Sequence, residues 1–176
     1  RTIQILADVH GFEWTIIRPH NVFGERQSMV DLYRNVAAIF MNRILRHEPI
    51  HIYGDGEQKR AFSYILDSLP CYIRCTDDPA AANQIFNIGG TTPITINQLA
   101  EAVINEFQEY PRPEIIHLPD RPCEVKHAWS TYEKSQQILG FEEQIGWRSG
   151  LHRMAEWSKA LGPQEWRYDE LPLLNK

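Results

Sequence analysis

The chain has 176 residues, 43% of them apolar and 23% charged, with a formal charge of -5. This is enough for one domain with a real core, and with no basic block it argues against nucleic acid as the main partner, since a reader of the phosphate backbone needs a basic face. No apolar run approaches the roughly 18–20 residues of a spanning helix, no signal peptide is visible, and three cysteines at irregular spacing suit a reducing compartment; a cytoplasmic protein without a membrane partner is expected.

In chain order, residues 1–10 read as the back half of a helix, with Ile3, Leu6 and Ala7 at helical spacing and Gly11 as its stop. A chain that opens on Arg1 inside a helical pattern is expected to be a fragment whose N-terminal part is missing. The segment 12–19, FEWTIIRP, is a strand of the buried type closed by proline. Residues 31–48 form the longest helical stretch, with Val36, Ile39, Phe40, Ile44 and Leu45 as its apolar stripe and Pro49 as its stop. A short strand, IHIY, then turns on Gly54-Asp55-Gly56. Residues 61–78 read as a strand-like entry followed by a helix, with Pro70 near the helix start if Asp67 or Ser68 caps it. Residues 84–90 are a short strand ending in glycines. Residues 95–110 are an amphipathic helix, capped by Thr95 or Asn97, with Leu99, Val103, Ile104 and Phe107 facing inward. A strand at 113–119 sits between prolines, a short helix at 131–141 stops at Gly140, and a last helix covers 147–162. The tail beyond has no clear period and is expected to run over the surface. Strands and helices alternate, which predicts α/β architecture with at least part of the sheet parallel.

Three loops carry candidate chemistry. In an open α/β sheet, ligands bind outside the carboxyl ends of strands. The run TIIRPHNVFGERQ (15–27) leads from a strand into such a place, where Asn21 offers an amide, Gly24 close approach and Arg26 a charged fork. A turn with surface polar residues would read the same way. In GDGEQKRAF, Arg60 near Phe62 suits a phosphate beside a flat base, against the alternative of a hairpin tip with solvated charges. In LPDRPCEVKHAW, Arg121 lies between Asp120 and Pro122, and Glu124 follows. Several arginines in loops at strand ends of an acidic chain point to a small anionic ligand. Cys71 and Cys75, four apart, could share a helix face; with no further ligands nearby they read as core thiols, and no metal is expected. No glycine-rich dinucleotide loop follows a strand, no G-x-S-x-G, H-E-x-x-H or Walker loop is present, and no tyrosine has a lysine four residues later. A lone His51 or His127 is more often structural than a ligand.

RPHNVFGERQ, YRNVAAIFMNRIL, IHIYGDGEQKRAFSYILD, NIGG with TINQLAEAV, and RPCEVKHAWSTYEKSQQILGF occur in an order that closely resembles the extended short-chain dehydrogenase/reductase family, within it the nucleotide-sugar 4-epimerases of the UDP-glucose 4-epimerase type. The resemblance covers about residues 1–160 and implies an α/β fold: the C-terminal part of a Rossmann-type enzyme, with residues 1–30 ending the NAD-binding domain and 31–176 mainly the smaller nucleotide-sugar-binding domain. The strand near 84–90 could return to the Rossmann sheet. The glycine-rich NAD loop and the Tyr-x-x-x-Lys pair would lie upstream of this chain. The implied chemistry is hydride transfer from sugar C4 to NAD and back to the other face.

By the same resemblance Pro19 would sit near the nicotinamide and Asn21 would hold the diphosphate of a UDP-sugar. Asn35 and Val36 would approach the sugar-nucleotide, His51 and Tyr53 would flank the uracil, Arg60 and Arg121 would clamp the phosphates, and Glu124 would accept from the ribose. The parent would be a homodimer, and this fragment would be inactive. Ala61, Cys123, Leu66 and Leu69 depart from the family pattern and leave the sugar open. A nucleotide-sugar dehydratase or UDP-glucuronate decarboxylase is the sibling alternative, and a non-catalytic sugar-nucleotide-binding module is the alternative of another class.

Overall fold

Thr15–His20 (β1) and Gln84–Gly89 (β6) pair in parallel, with Thr15 opposite Gln84 and His20 opposite Gly89. The two sequence-distant segments thus end at the same level. The computed structural model describes residues 1–31 and 36–166. Among these, the remaining elements are α1 (Thr2–His10), β2 (Val22–Phe23), α2 (Val36–Leu45), β3 (Ile50–Tyr53), β4 (Lys59–Ala61), β5 (Ser63–Tyr64), α3 (Ile65–Asp77), a 3-10 turn (Pro79–Ala81), β7 (Pro93–Thr95), α4 (Ile96–Asn105), β8 (Ile115–Leu118), β9 (His127–Ala128), α5 (Glu133–Leu139) and α6 (Gly146–Leu161). Three further small ladders run beside the first: β2 with β5 and β3 with β8, both parallel, and β4 between antiparallel β7 and parallel β9.

Local signals account for several helix boundaries. Gly11 and Gly140 stop α1 and α5 in the left-handed conformation, at φ 70 and φ 63, which costs a glycine little. Thr95 caps α4 in a reciprocal box: its hydroxyl accepts the Gln98 N–H at 3.0 Å, and the Gln98 side chain accepts the Thr95 N–H at 2.9 Å. Asn97, the other candidate cap, reaches instead to the Gly54–Gly56 turn, donating to Asp55 O and Glu57 Oε1.

Two buried apolar clusters form. The larger joins α2, α4 and α6 to β3 and β5 through residues such as Phe40, Ile44, Ile52, Leu99, Val103, Leu151 and Met154. The smaller lies between β6 and the helices α3 and α5, with Cys71, Phe86, Ile88, Tyr132, Leu139 and Phe141. Cys71 is buried and Cys75 half-buried, and burial pushes both thiols above their usual range. The segment after α6 packs back on α2. Buried Asn42 both donates to and accepts from the Gln164 backbone, at 3.0 and 2.9 Å, and Trp166 Nε1 donates to Glu48. The tail's expected surface course beyond 166 lies outside the described residues. α1 exposes Ile3, Ile5, Leu6 and Val9.

One local expectation is corrected. α3 starts at Ile65, straight out of β5, so Pro70 lies in the helix interior, where it cannot return an N–H to the Leu66 carbonyl. Asp67 does not cap its own helix. Its carboxylate accepts the N–H groups of Ile145 and Gly146, both at 2.9 Å, and so caps α6 from another element. Loss of this buried carboxylate leaves two amides without an acceptor. Asp67→Ala should lower stability by about 2–3 kcal/mol and Asp67→Asn by less, read from the midpoint of urea unfolding.

Candidate functional site

The carboxyl ends of β1 and β6 meet β5 at one serine. Ser63 Oγ donates to the His20 carbonyl at 2.6 Å and accepts the Gly90 N–H at 2.7 Å. Gly90 lies so close to the chain that an added Cβ would stand 2.1 Å from the Phe62 carbonyl oxygen, so any larger residue would push backbone from backbone. From this knot the chain turns at Asn21, whose φ of 37 is a left-handed value that asparagine tolerates better than most residues. Its Nδ2 donates to the Ala61 carbonyl at 3.0 Å, and its own carbonyl accepts from Ser63 N–H. The candidate diphosphate ligand is thus positioned beside β4, next to Arg60.

Arg60 reaches outward from β4. Its Nη1 donates to the carbonyls of Lys59 and Lys126, and its Nη2 meets Glu124 Oε1 at 3.4 Å. Its side chain is 17% exposed and that of Glu124 is 27% exposed, so the pair is part-shielded. Glu124 N–H donates to the Arg121 carbonyl in a turn. The Arg121 guanidinium lies 3.9 Å above the Tyr53 ring, a close cation–π contact. The two candidate phosphate arginines and the candidate ribose acceptor are therefore linked in one chain, Arg60 to Glu124 to Arg121. Tyr53, the candidate for the base, is covered by Arg121.

His51 shares the outer face of β3 with Tyr53, since alternate residues point the same way, while Ile50 and Ile52 enter the core. Burial, then the Arg43 charge, holds His51 below its usual value. Pro19 is exposed on β1 opposite Ile88, and Val36 opens α2. Asn35 lies outside the described residues. In the loop after β1, Gly24 makes room for Ile65 and not for a ligand, as a Cβ there would stand 2.5 Å from Ile65 Cγ2. Glu25 accepts the Tyr64 hydroxyl at 2.9 Å on both oxygens, so it fastens the loop.

Ser63 was not legible as a site residue. A serine at the start of a two-residue strand carries no motif, and only the partners brought from residues 20 and 90 show its role.

The sequence profile of the NAD dependent epimerase/dehydratase family matches residues 1–89, half of the chain. A Methanocaldococcus jannaschii protein assigned as a UDP-glucose 4-epimerase is 29% identical over 157 residues, 89% of this chain and 49% of its own length. UDP-D-apiose/UDP-D-xylose synthase 2 of Arabidopsis thaliana is 29% identical over 152 residues, 78% of this chain and 39% of its own. The crystal structure of UDP-glucose 4-epimerase with UDP-glucose from Thermotoga maritima superposes with a TM-score of 0.82 at 29% identity, over 91% of this chain and 50% of that one. The chain spans half or less of the length of the relatives it matches.

Both site histidines bear on stability against pH. His20 and His51 are held below the usual 6.5, with burial the leading cause in each. A neutral imidazole favoured by the fold means that the unfolded chain binds protons first. Stability is full above about pH 6.5 and falls as pH drops through that value toward the folded-state values. The melting temperature should decline from about pH 8 to about pH 5, and His51→Phe should flatten that slope; a pH-independent melt in this range would contradict the assignment. The profile match, the shared fold and the parallel β1–β6 pair agree: the chain belongs to the NAD dependent epimerase/dehydratase family, with the Rossmann-type α/β fold of the extended short-chain dehydrogenases/reductases.

Proposed function

We propose that this chain is the nucleotide-sugar-binding half of a UDP-sugar 4-epimerase of the UDP-glucose/UDP-galactose type, acting with NAD. The observation that carries the reading is the arginine pair. In a chain of net charge -5, Arg60 on β4 and Arg121 in the loop after β8 are joined through Glu124, and Asn21, just past β1, bonds to Ala61, the next residue of β4. Planar guanidinium forks suit a diphosphate, which offers paired oxygens. Tyr53 adds a ring face for the base once Arg121 turns from it to a phosphate, and Glu124 becomes an acceptor for a ribose hydroxyl once Arg60 releases it. Bound NAD would supply acceptance and return of hydride at sugar C4. This chain's own share in holding that cofactor is the exposed Pro19, an apolar contact for the nicotinamide; no glycine-rich pyrophosphate loop is present in the sequence. A homodimer through helices that include α1, and a cytoplasmic location, are part of the same proposal.

A sibling reaction is the second reading, since relatives in the family include UDP-apiose/xylose synthases and decarboxylases. The phosphate clamp would serve each of them, so a panel of UDP-sugars offered to the chain separates the sugars and not the scaffold.

Two measurements test the proposal. Arg60→Ala and Arg121→Ala should each weaken UDP binding roughly ten- to a hundredfold by calorimetry, as charge-assisted bonds to phosphate are worth about 1.5–3 kcal/mol when shielded. Lysine at either position should recover only part, because it lacks the fork. Unchanged affinity in both alanine variants and in Asn21→Ala would remove the site. Separately, the chain incubated with UDP-glucose and NAD should form no UDP-galactose above blank, because it has no Tyr-x-x-x-Lys pair.

A further inference from the structure

The loop between β8 and β9, residues 119–126, is fixed at both ends beside the two candidate clamps. At its start, β8 pairs with β3 so that Leu118 lies opposite Tyr53. The Gly54 N–H donates to the Leu118 carbonyl at 2.9 Å, and the Asp120 carboxylate lies against Gly54 in the space a Cβ would need. At its end, β9 pairs with β4 so that Ala128 lies opposite Arg60, and the Lys59 N–H donates to the Lys126 carbonyl at 2.8 Å. Between these anchors the Glu124 N–H donates to the Arg121 carbonyl at 3.3 Å, and Cys123 takes a left-handed φ of 60. The loop thus delivers Arg121 to Tyr53 and Glu124 to Arg60.

Both deliveries end in contact. The Arg121 guanidinium stands 3.9 Å from the centre of the Tyr53 ring. A base stacked on that ring would need a centroid about 4.5–7 Å away, and the guanidinium occupies the approach. Glu124 Oε1 stands 3.4 Å from Arg60 Nη2. The two groups suited to anions and the two suited to a nucleoside therefore satisfy one another in the free chain.

Part of a ligand breaks these contacts without replacing them. A bare diphosphate on Arg60 leaves the part-shielded Glu124 carboxylate unpaired beside a charge of its own sign, which is costly. A bare nucleoside on Tyr53 displaces the Arg121 cation from its ring and offers it no anion in return. A whole nucleoside diphosphate replaces every contact it breaks. Its phosphates take both guanidinium groups, a ribose hydroxyl donates to Glu124, and the base covers Tyr53.

We propose that Glu124 and Tyr53 are specificity-determining residues: by holding Arg60 and Arg121 in the free chain they make the cradle select an intact nucleoside diphosphate over its separate parts. The proposal rests on the UDP-sugar reading and adds to it the rejection of fragments. Asn21 and the carbonyls that orient Arg60 contribute to every ligand alike; the selection belongs to the two residues that must be displaced.

Methyl diphosphate and UDP are the probes, since both carry a diphosphate with one ester and only UDP carries ribose and base. In calorimetry the unmodified chain should bind UDP at least about a hundredfold more tightly than methyl diphosphate. Glu124→Gln should tighten methyl diphosphate about tenfold and change UDP by no more than about threefold. Tyr53→Leu should tighten methyl diphosphate about threefold and weaken UDP. Damage to the fold would weaken both ligands, so a gain in fragment affinity separates selection from a structural role. A readout that needs no variant is the NMR signal of the Arg121 side-chain protons. Lying over the Tyr53 ring, they should be shifted upfield in the free chain, keep that shift with uridine alone, and lose it with UDP. Methyl diphosphate bound no more tightly by Glu124→Gln than by the unmodified chain, which still binds UDP, overturns this inference and leaves the UDP-sugar reading intact. No binding of UDP by the unmodified chain overturns both.

Discussion

The hydroxyl of Ser63 holds together three segments that no local interaction would bring near one another. It donates to the last carbonyl of β1, at His20, and accepts the Gly90 N–H just beyond β6, while its own backbone belongs to β5. A hydroxyl has one donor and two acceptor positions, and this one uses both functions within a buried setting. Removing it would leave a carbonyl and an amide unpaired where water does not reach. The absence of side chains at Gly89 and Gly90 is the other half of the same constraint: both backbones must come within contact distance of His20, Phe62 and Tyr132. The smaller cluster behind β6 and the larger one around α2, α4 and α6 are thereby fixed at the end where the loops gather.

The charged groups above that knot are held with unequal firmness. Arg60 has two backbone carbonyls and a carboxylate as acceptors, which set its direction before any ligand arrives. Arg121 is exposed and rests on an aromatic face, an attraction without a fixed hydrogen-bond angle. In the UDP-sugar reading proposed above, the pre-set fork would anchor the diphosphate and Arg121 would close on it. Such preorganisation reduces the ordering cost of binding. Asn21, tied to Ala61 by its amide, keeps the strand end and β4 at a fixed spacing.

Asp67 couples the helices in a comparable way. A carboxylate on α3 meets the positive N-terminal end of α6, where unpaired N–H groups and the helix dipole both favour negative charge. α3 itself carries an interior proline and exposes Leu66, Leu69 and Ile73, so its placement depends on its buried face and on this bond more than on its own helical propensity.

What the amino-acid order determined by itself is the set of elements and their class. Apolar period and stop residues are local quantities, so α2, α4 and α6, the glycine caps at 11 and 140 and the Thr95 cap were all readable along the chain. The strand that runs into RPHN and the ordered motifs that mark the family were readable for the same reason. The tertiary structure alone decided the pairings between distant residues: Ser63 with Gly90, Arg60 with Glu124, Arg121 with Tyr53, His20 with Tyr132 over Gly89, and Asp67 with Gly146. Neither Asp67 nor Ser68, the two candidate caps, caps α3; a carboxylate near a helix start has the same local signature whichever helix it serves. The partner of Asp67 lies 79 residues away, and no periodicity carries information across that distance. Only packing, which brings the carboxyl ends of β1 and β6 level and folds the later loops over them, makes those contacts definite.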